Sequence, residues 1–249
     1  MEPSITTSAL HPEPRFGLEL ASRLGFRSVT LSAAQPGLRP RELDRSARRG
    51  LVAELRRLEL ECSAIDLFIP PEHFIGAETI DRALDAVRGA MDLATDLGAQ
   101  SLFLRLPGES LDEPMLESTR ELNRLAEGRV VRLLDVGLSG RAMRSLETGQ
   151  PIAIGLGIDT ASWLADQRDP LEGLITHGAM VGGLRLVDLD ETGSRTAPVA
   201  GGRIDLESLQ RALELEVQPR SVVLDARGWA DPLSDAARSL ALWRSEAEI

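Results

Sequence analysis

The stretch IAIGLGID, Ile152 to Asp159, decides how the chain reads. Side chains alternate between the two faces of a strand. That puts Ile152, Ile154, Leu156 and Ile158 on one face and Ala153, Gly155, Gly157 and Asp159 on the other. One face is bulky and apolar; the other is small and ends in a carboxylate. A half-exposed strand would present a row of polar side chains to water, and this one has none. It fits a barrel strand that helices cover on the outside, with a tight interior and chemistry at its carboxyl end.

Similar units flank it on both sides. Strands are expected at Ile5 to Thr7, Ser28 to Ala33, Cys62 to Ile69, Ser101 to Leu106 and Val130 to Val136, then after the central stretch at Gly183 to Leu189 and Ser221 to Ala226. Helical spacing falls between them at Pro14 to Leu24, Leu43 to Leu60, Thr79 to Leu97, Met115 to Ala126, Arg141 to Glu147, from Pro170, from Asp205 to about Glu216, and at Asp231 to Trp243. Gly25 and Gly98 sit where helices commonly stop. Eight uninterrupted alternations over 249 residues predict one (β/α)8 TIM barrel comprising the whole chain, in preference to an open doubly wound sheet.

Composition narrows the function classes. All 28 basic side chains are arginine, so Schiff-base chemistry on a lysine is excluded. The formal charge of −11 opposes nonspecific binding to nucleic acid or to an anionic membrane. Cys62 is the sole cysteine, which rules out internal disulfides and cysteine zinc clusters and reads as a core thiol. The start of the sequence lacks a signal-like pattern and no apolar run reaches membrane-spanning length, so a cytoplasmic protein is expected.

Applied to every strand, the two-face reading collects charge on one parity. Asp66, Arg105, Asp135, Asp159, Arg185 and Asp225 fall one per strand on the face assigned to the interior, near the carboxyl ends, with Thr30 in the matching place on strand two. Inward charges are costly unless paired, hydrated or bound to a cation. Four aspartates and two arginines form either a salt-bridge network or a polar substrate site with a divalent cation (Mn, Mg or Zn) taking up the remaining charge. The position at a barrel mouth favours a ligand site. His73, Phe68, Phe74, Trp163 and Trp229 lie just past strand ends, where loops roof the mouth; Phe68 is weighed towards the core and Trp229 towards the ligand.

Four segments together resemble the xylose-isomerase-like barrels, which include sugar isomerases and epimerases, inosose-processing enzymes and endonuclease IV. They are GLELASRLGFRSVTL, AMDLATDLGAQSLFLRLPG, IGLGIDTASWLADQRDPLEGL, and GLRLVDLDETGSR followed by AGGRIDL. The resemblance implies a metal held by four residues at the ends of strands five to eight, falling here on Asp135, Asp159, Arg185 and Asp225. Only Asp159 keeps the family's residue type; two glutamates have become aspartates and a histidine has become Arg185, so a metal is less expected than in typical members. Ser162 stands where the family commonly has another histidine. Asp188 matches the aspartate closing the strand-seven motif, and Arg195 an arginine of the following loop.

The expectation is a sugar or cyclitol isomerase or epimerase acting on a small polyhydroxylated substrate. Asp135 and Asp225 would be acid and base, and Asp159 a metal ligand or orienting group. Asp66, His73, Arg105, Arg185, Asp188, Arg195 and Trp229 would hold substrate. The alternative is a diverged barrel that binds a small polar ligand or a partner protein without turnover. Repair of abasic DNA is disfavoured by the acidic charge and the absent histidines, and assembly with further copies of the chain is left open.

Overall fold

A computed structural model describes residues 1–106, 113–137, 153–215 and 217–246. Eight parallel strands close into a barrel in chain order: β1 (Ser4–Thr6), β2 (Ser28–Ser32), β3 (Glu61–Asp66), β4 (Ser101–Leu104), β5 (Arg132–Asp135), β6 (Gly155–Asp159), β7 (Val181–Leu186) and β8 (Ser221–Leu224), the last pairing with β1. Among the described residues helices fill the connections, and the closed parallel barrel with alternating helices is an α/β (β/α)8 TIM barrel as the alternation required. Among the described residues, no helix is long and apolar enough to cross a membrane.

The helix Ile80–Leu97 shows how an element is made. It turns Ala83, Val87, Ala90, Met91, Ala94 and Leu97 inward at helical spacing and packs on β3 and β4. Full burial of each large side chain contributes about 1.5–3 kcal/mol. Gly98 ends it at φ 74°, a left-handed conformation that an L side chain resists.

Inside the barrel, Ala64, Phe103, Leu134, Val136 and Val223 form a core separate from the larger one between strands and helices. Towards the amino-terminal ends lies a polar layer: Ser4 Oγ and Thr30 Oγ1 are 2.8 Å apart, and Ser221 Oγ donates to Ser101 Oγ at 3.2 Å. The small face of β6 is explained by its neighbour β5: a Cβ on Gly155 would stand 2.6 Å from Arg132 Nε and 2.8 Å from Leu134 Cδ2, and one on Gly157 would stand 2.7 Å from Val136 Cγ1 and 3.4 Å from the Phe103 ring. On β7, a Cβ on Gly183 would stand 2.5 Å from that ring.

The face assigned to β5 is corrected. β4 and β5 pair Phe103 with Leu134 and Leu104 with Asp135, and partners in register share a face. Leu134 and Val136 therefore point into the barrel, and Asp135 shares the outward parity of Leu104. VVRLLDV carries apolar residues at both parities, so its carboxylate alone had chosen the face, and that choice was wrong. Cys62 is buried in the outer core, as expected of a core thiol, beside a shift in the β2–β3 register. Burial pushes its thiol up to about 12, which leaves it unreactive.

Boundaries shift too. β1 begins at Ser4, and Thr7 opens a helical turn, Thr7–Leu10. The strand expected to reach Leu189 stops at Leu186, and Asp188–Leu189 leaves the barrel to pair antiparallel with Arg195–Thr196. A helix not foreseen, Thr160–Ala165, starts directly after β6, where the Asp159 side chain accepts from Ser162 N at 3.0 Å. The expected helix at 141–147, the first residue of the central stretch at 152, and residue 216 lie outside the described residues.

Candidate ligand site at the mouth of the barrel

Three inward positions at the carboxyl ends carry buried aspartates: Asp66 closing β3, Asp159 closing β6 and Asp225 just after β8. Arg185 points in from β7 and is buried between them, 4.9 Å above the Phe103 ring centroid. Two further arginines come from loops. Arg195 is carried by the hairpin after β7, whose turn is tied by Asp190 accepting from Thr192 N at 2.8 Å and Ser194 N at 2.9 Å. Arg227 lies two residues beyond Asp225.

These six groups form one network. Arg185 donates to Asp66 Oδ1. Arg227 donates to Asp66 Oδ2 at 2.5 Å and grips both oxygens of Asp225 at 2.6 Å. Arg195 grips both oxygens of Asp159, at 3.2 and 3.0 Å, and reaches Asp225 Oδ2 at 3.2 Å. Three carboxylates are thus balanced by three guanidiniums in forked, charge-assisted contacts. Burial alone would raise the Asp225 carboxyl, but the hydrogen bond and charge of Arg227, with Arg185 and Arg195 behind it, hold it down at about 2. Burial, with repulsion from Arg227, lowers Arg185 to about 9, which leaves it charged at neutral pH.

Above the network opens a cavity of about 400 Å³, with Phe68, Arg105, Val136, Ser162 and Gly228 completing the wall. Larger hollows of about 630 and 760 Å³ lie elsewhere, the second near the amino-terminal strand ends. We place the site at the mouth because buried, mutually paired charges converge there and in neither larger hollow.

Of the residues singled out from sequence, Asp66, Arg105, Asp159, Arg185, Arg195 and Asp225 come together. Asp135 does not join them: its Oδ1 accepts from the backbone N–H groups of Leu106 at 3.0 Å and Gly137 at 2.8 Å, fixing the chain where β4 and β5 end. Asp188 serves its own loop, accepting from Leu189 N at 2.8 Å and Arg203 N at 2.9 Å. His73 sits on the short turn Pro71–Phe74, outside the cavity wall.

Trp229 and Phe68 exchange roles. The indole is 5% exposed within the core, while Phe68 is 64% exposed at the mouth. Arg227 was missed, although its signal is present: Val223, Asp225 and Arg227 continue one parity past the end of β8.

The divalent metal implied by the resemblance does not fit this donor set. Both oxygens of Asp159 and of Asp225 face guanidiniums, Arg185 offers a permanent cation, and Asp135 lies on the outward parity of β5. Among the described residues, no group of three or more His, Cys, Asp or Glu side chains is arranged to hold a metal ion. Dialysis against a strong chelator is expected to leave the melting temperature unchanged, and added Mn²⁺, Mg²⁺ or Zn²⁺ to leave it unraised. A metal-dependent rise of several degrees would refute the misfit.

No family model matches the sequence, and no curated protein matches it. Solved structures do match in fold. A xylose isomerase domain protein from Planctomyces limnophilus superposes with TM-score 0.77 at 18% identity, covering 99% of this chain and 97% of that one. D-psicose 3-epimerase from Clostridium cellulolyticum H10 gives 0.77 at 15% identity, covering 98% and 99%. 3-Keto-D-glucoside 4-epimerase from E. coli gives 0.75 at 18%, covering 98% and 99%. The chain has the fold of the xylose isomerase-like TIM barrels, shared with these sugar epimerases.

Proposed function

We propose that the chain is a sugar isomerase/epimerase-like barrel that binds a small polyhydroxylated molecule, a sugar or cyclitol, at its mouth without the divalent metal that the sequence resemblance implies. The observation that carries this reading is the buried Asp66–Arg227–Asp225–Arg195–Asp159 chain beneath a 400 Å³ cavity. A cavity of that size suits a monosaccharide. Guanidinium donors, the Ser162 hydroxyl and the exposed Phe68 ring suit its hydroxyls and apolar face. The fold shared with sugar epimerases supports the same ligand class.

Binding without turnover is favoured over isomerisation by one specific observation. The two aspartates assigned as acid and base are not a pair at the cavity: Asp135 stands outside its wall on the outward parity of β5, and Asp225 is a weak base because Arg227 holds its carboxyl at about 2. Neutral sugars and cyclitols titrated into the protein are expected to bind with release of heat, and Ser162→Phe, which fills the mouth but keeps the backbone cap bond, is expected to abolish it. Incubation in heavy water then separates the two readings. Solvent deuterium incorporated into the bound sugar would establish proton transfer, whereas binding with no exchange supports the ligand-binding barrel.

A further inference from the structure

The carboxylates of the network lie under the arginines. The side chains of Asp66, Asp159 and Asp225 are 5%, 7% and 1% exposed, whereas those of Arg195 and Arg227 are 32% and 34% exposed. A molecule entering the cavity therefore meets N–H donors before it meets any carboxylate oxygen.

The charge count agrees. Among the described residues the cavity wall carries three aspartates and four arginines, an excess of one positive charge in a chain whose formal charge is −11. The fourth arginine, Arg105, stands exposed at the rim and makes no ion pair among the described residues. A guanidinium has five N–H donors. Arg227 commits three hydrogen bonds to Asp66 and Asp225, and Arg195 three to Asp159 and Asp225, so both keep donors for a ligand. A neutral polyol satisfies such donors with hydroxyl oxygens. An oxyanion satisfies them with stronger, charge-assisted bonds and balances Arg105 as well.

We propose that the molecule bound at the mouth carries an oxyanion, a carboxylate or phosphate on a polyhydroxylated body, seated on Arg105, Arg195 and Arg227. This rests on the sugar-binding reading of the same cavity. Carboxylate and phosphate share the chemistry that forked guanidiniums recognise, and the two sources are distinguished by experiment.

The test is calorimetric titration of the full chain with glucose, glucuronate and glucose 6-phosphate, at low and at high salt. At low salt, at least one of the two anionic sugars is expected to bind about 10–100-fold tighter than glucose, as one charge-assisted contact implies. High salt is expected to shrink that preference. Arg105→Gln, a change at an exposed position, is expected to remove about tenfold of the preference while leaving the melting temperature unchanged. Tight binding of glucuronate alone assigns a sugar acid, and of glucose 6-phosphate alone a sugar phosphate. Glucose bound as tightly as both anions would overturn the oxyanion inference and leave the sugar site standing. If none of the three binds, and neutral sugars and cyclitols fail with them, both readings fall.

Discussion

Replacing Arg227 by methionine is expected to lower the unfolding free energy by about 3 kcal/mol at neutral pH, the low end of the range for breaking a buried ion pair. The low end applies because the guanidinium is a third exposed, so water can partly replace it. Its loss leaves Asp225 with Arg195 as its closest cation and Asp66 with Arg185. The pH dependence identifies the cause. The folded Asp225 carboxyl, at about 2, lies below the ordinary unfolded value of roughly 3.9. Its contribution in the wild type is thus fully present above pH ~4 and is lost as pH falls through about 2. In the variant, desolvation acts with less opposition and raises the Asp225 carboxyl, so protonation relieves the strain. The gap between the two proteins should therefore narrow as pH is lowered from 7 to about 4. Urea unfolding across that interval reads it directly, and a gap below about 0.5 kcal/mol that ignores pH would show the network to be energetically idle.

Phe103→Ala is expected to cost more, about 4 kcal/mol. The ring is fully buried in the barrel interior, and its neighbours cannot close over the hole because the facing positions on β6 and β7 are Gly157 and Gly183, with no side chain to move. Arg185 stands over the same ring, so the truncation also frees the cation that anchors Asp66. Affinity for a ligand at the mouth should fall about tenfold beside the loss of stability. Phe103→Leu, which keeps most of the volume, should cost under about 1.5 kcal/mol and leave affinity near the wild-type value. Denaturant unfolding and calorimetry on both variants check this. If alanine costs less than about 1 kcal/mol, the interior is not packed around this ring.

Much of this architecture was legible in the residues because burial enforces periodicity. β6 and β7 announce themselves through alternation of bulky outward residues with small or charged inward ones, and the observed faces of Asp159, Arg185 and, on β8, Asp225 are those the alternation assigned. β5 was misread because Val131, Leu133, Leu134 and Val136 are buried on both of its faces, in the outer and inner cores. A strand covered on both sides loses its alternation, and no charge rule restores it. Register with β4 supplies the missing information, and register is a property of two strands.

The loops divide in the same way. Arg195 was suspected from its motif, and the hairpin that lifts it over Asp159 explains how it arrives. Trp229 and Phe68 exchanged places because residues past a strand end have no period to fix their direction, so tertiary packing decides which ring is covered.

By itself, the sequence determined the barrel, the covering helices and a mouth rich in aspartate and arginine, because these follow from local periodicity and from the cost of an inward charge. Only the tertiary structure decided how those charges are spent. Which guanidinium faces which carboxylate depends on strands and loops far apart in the chain: Arg185 reaches Asp66, Arg195 takes Asp159, and Arg227 bridges Asp66 and Asp225. The physical reason is that a forked ion pair is set over a few ångströms in three dimensions, whereas the sequence records only the side of each strand on which a charge begins.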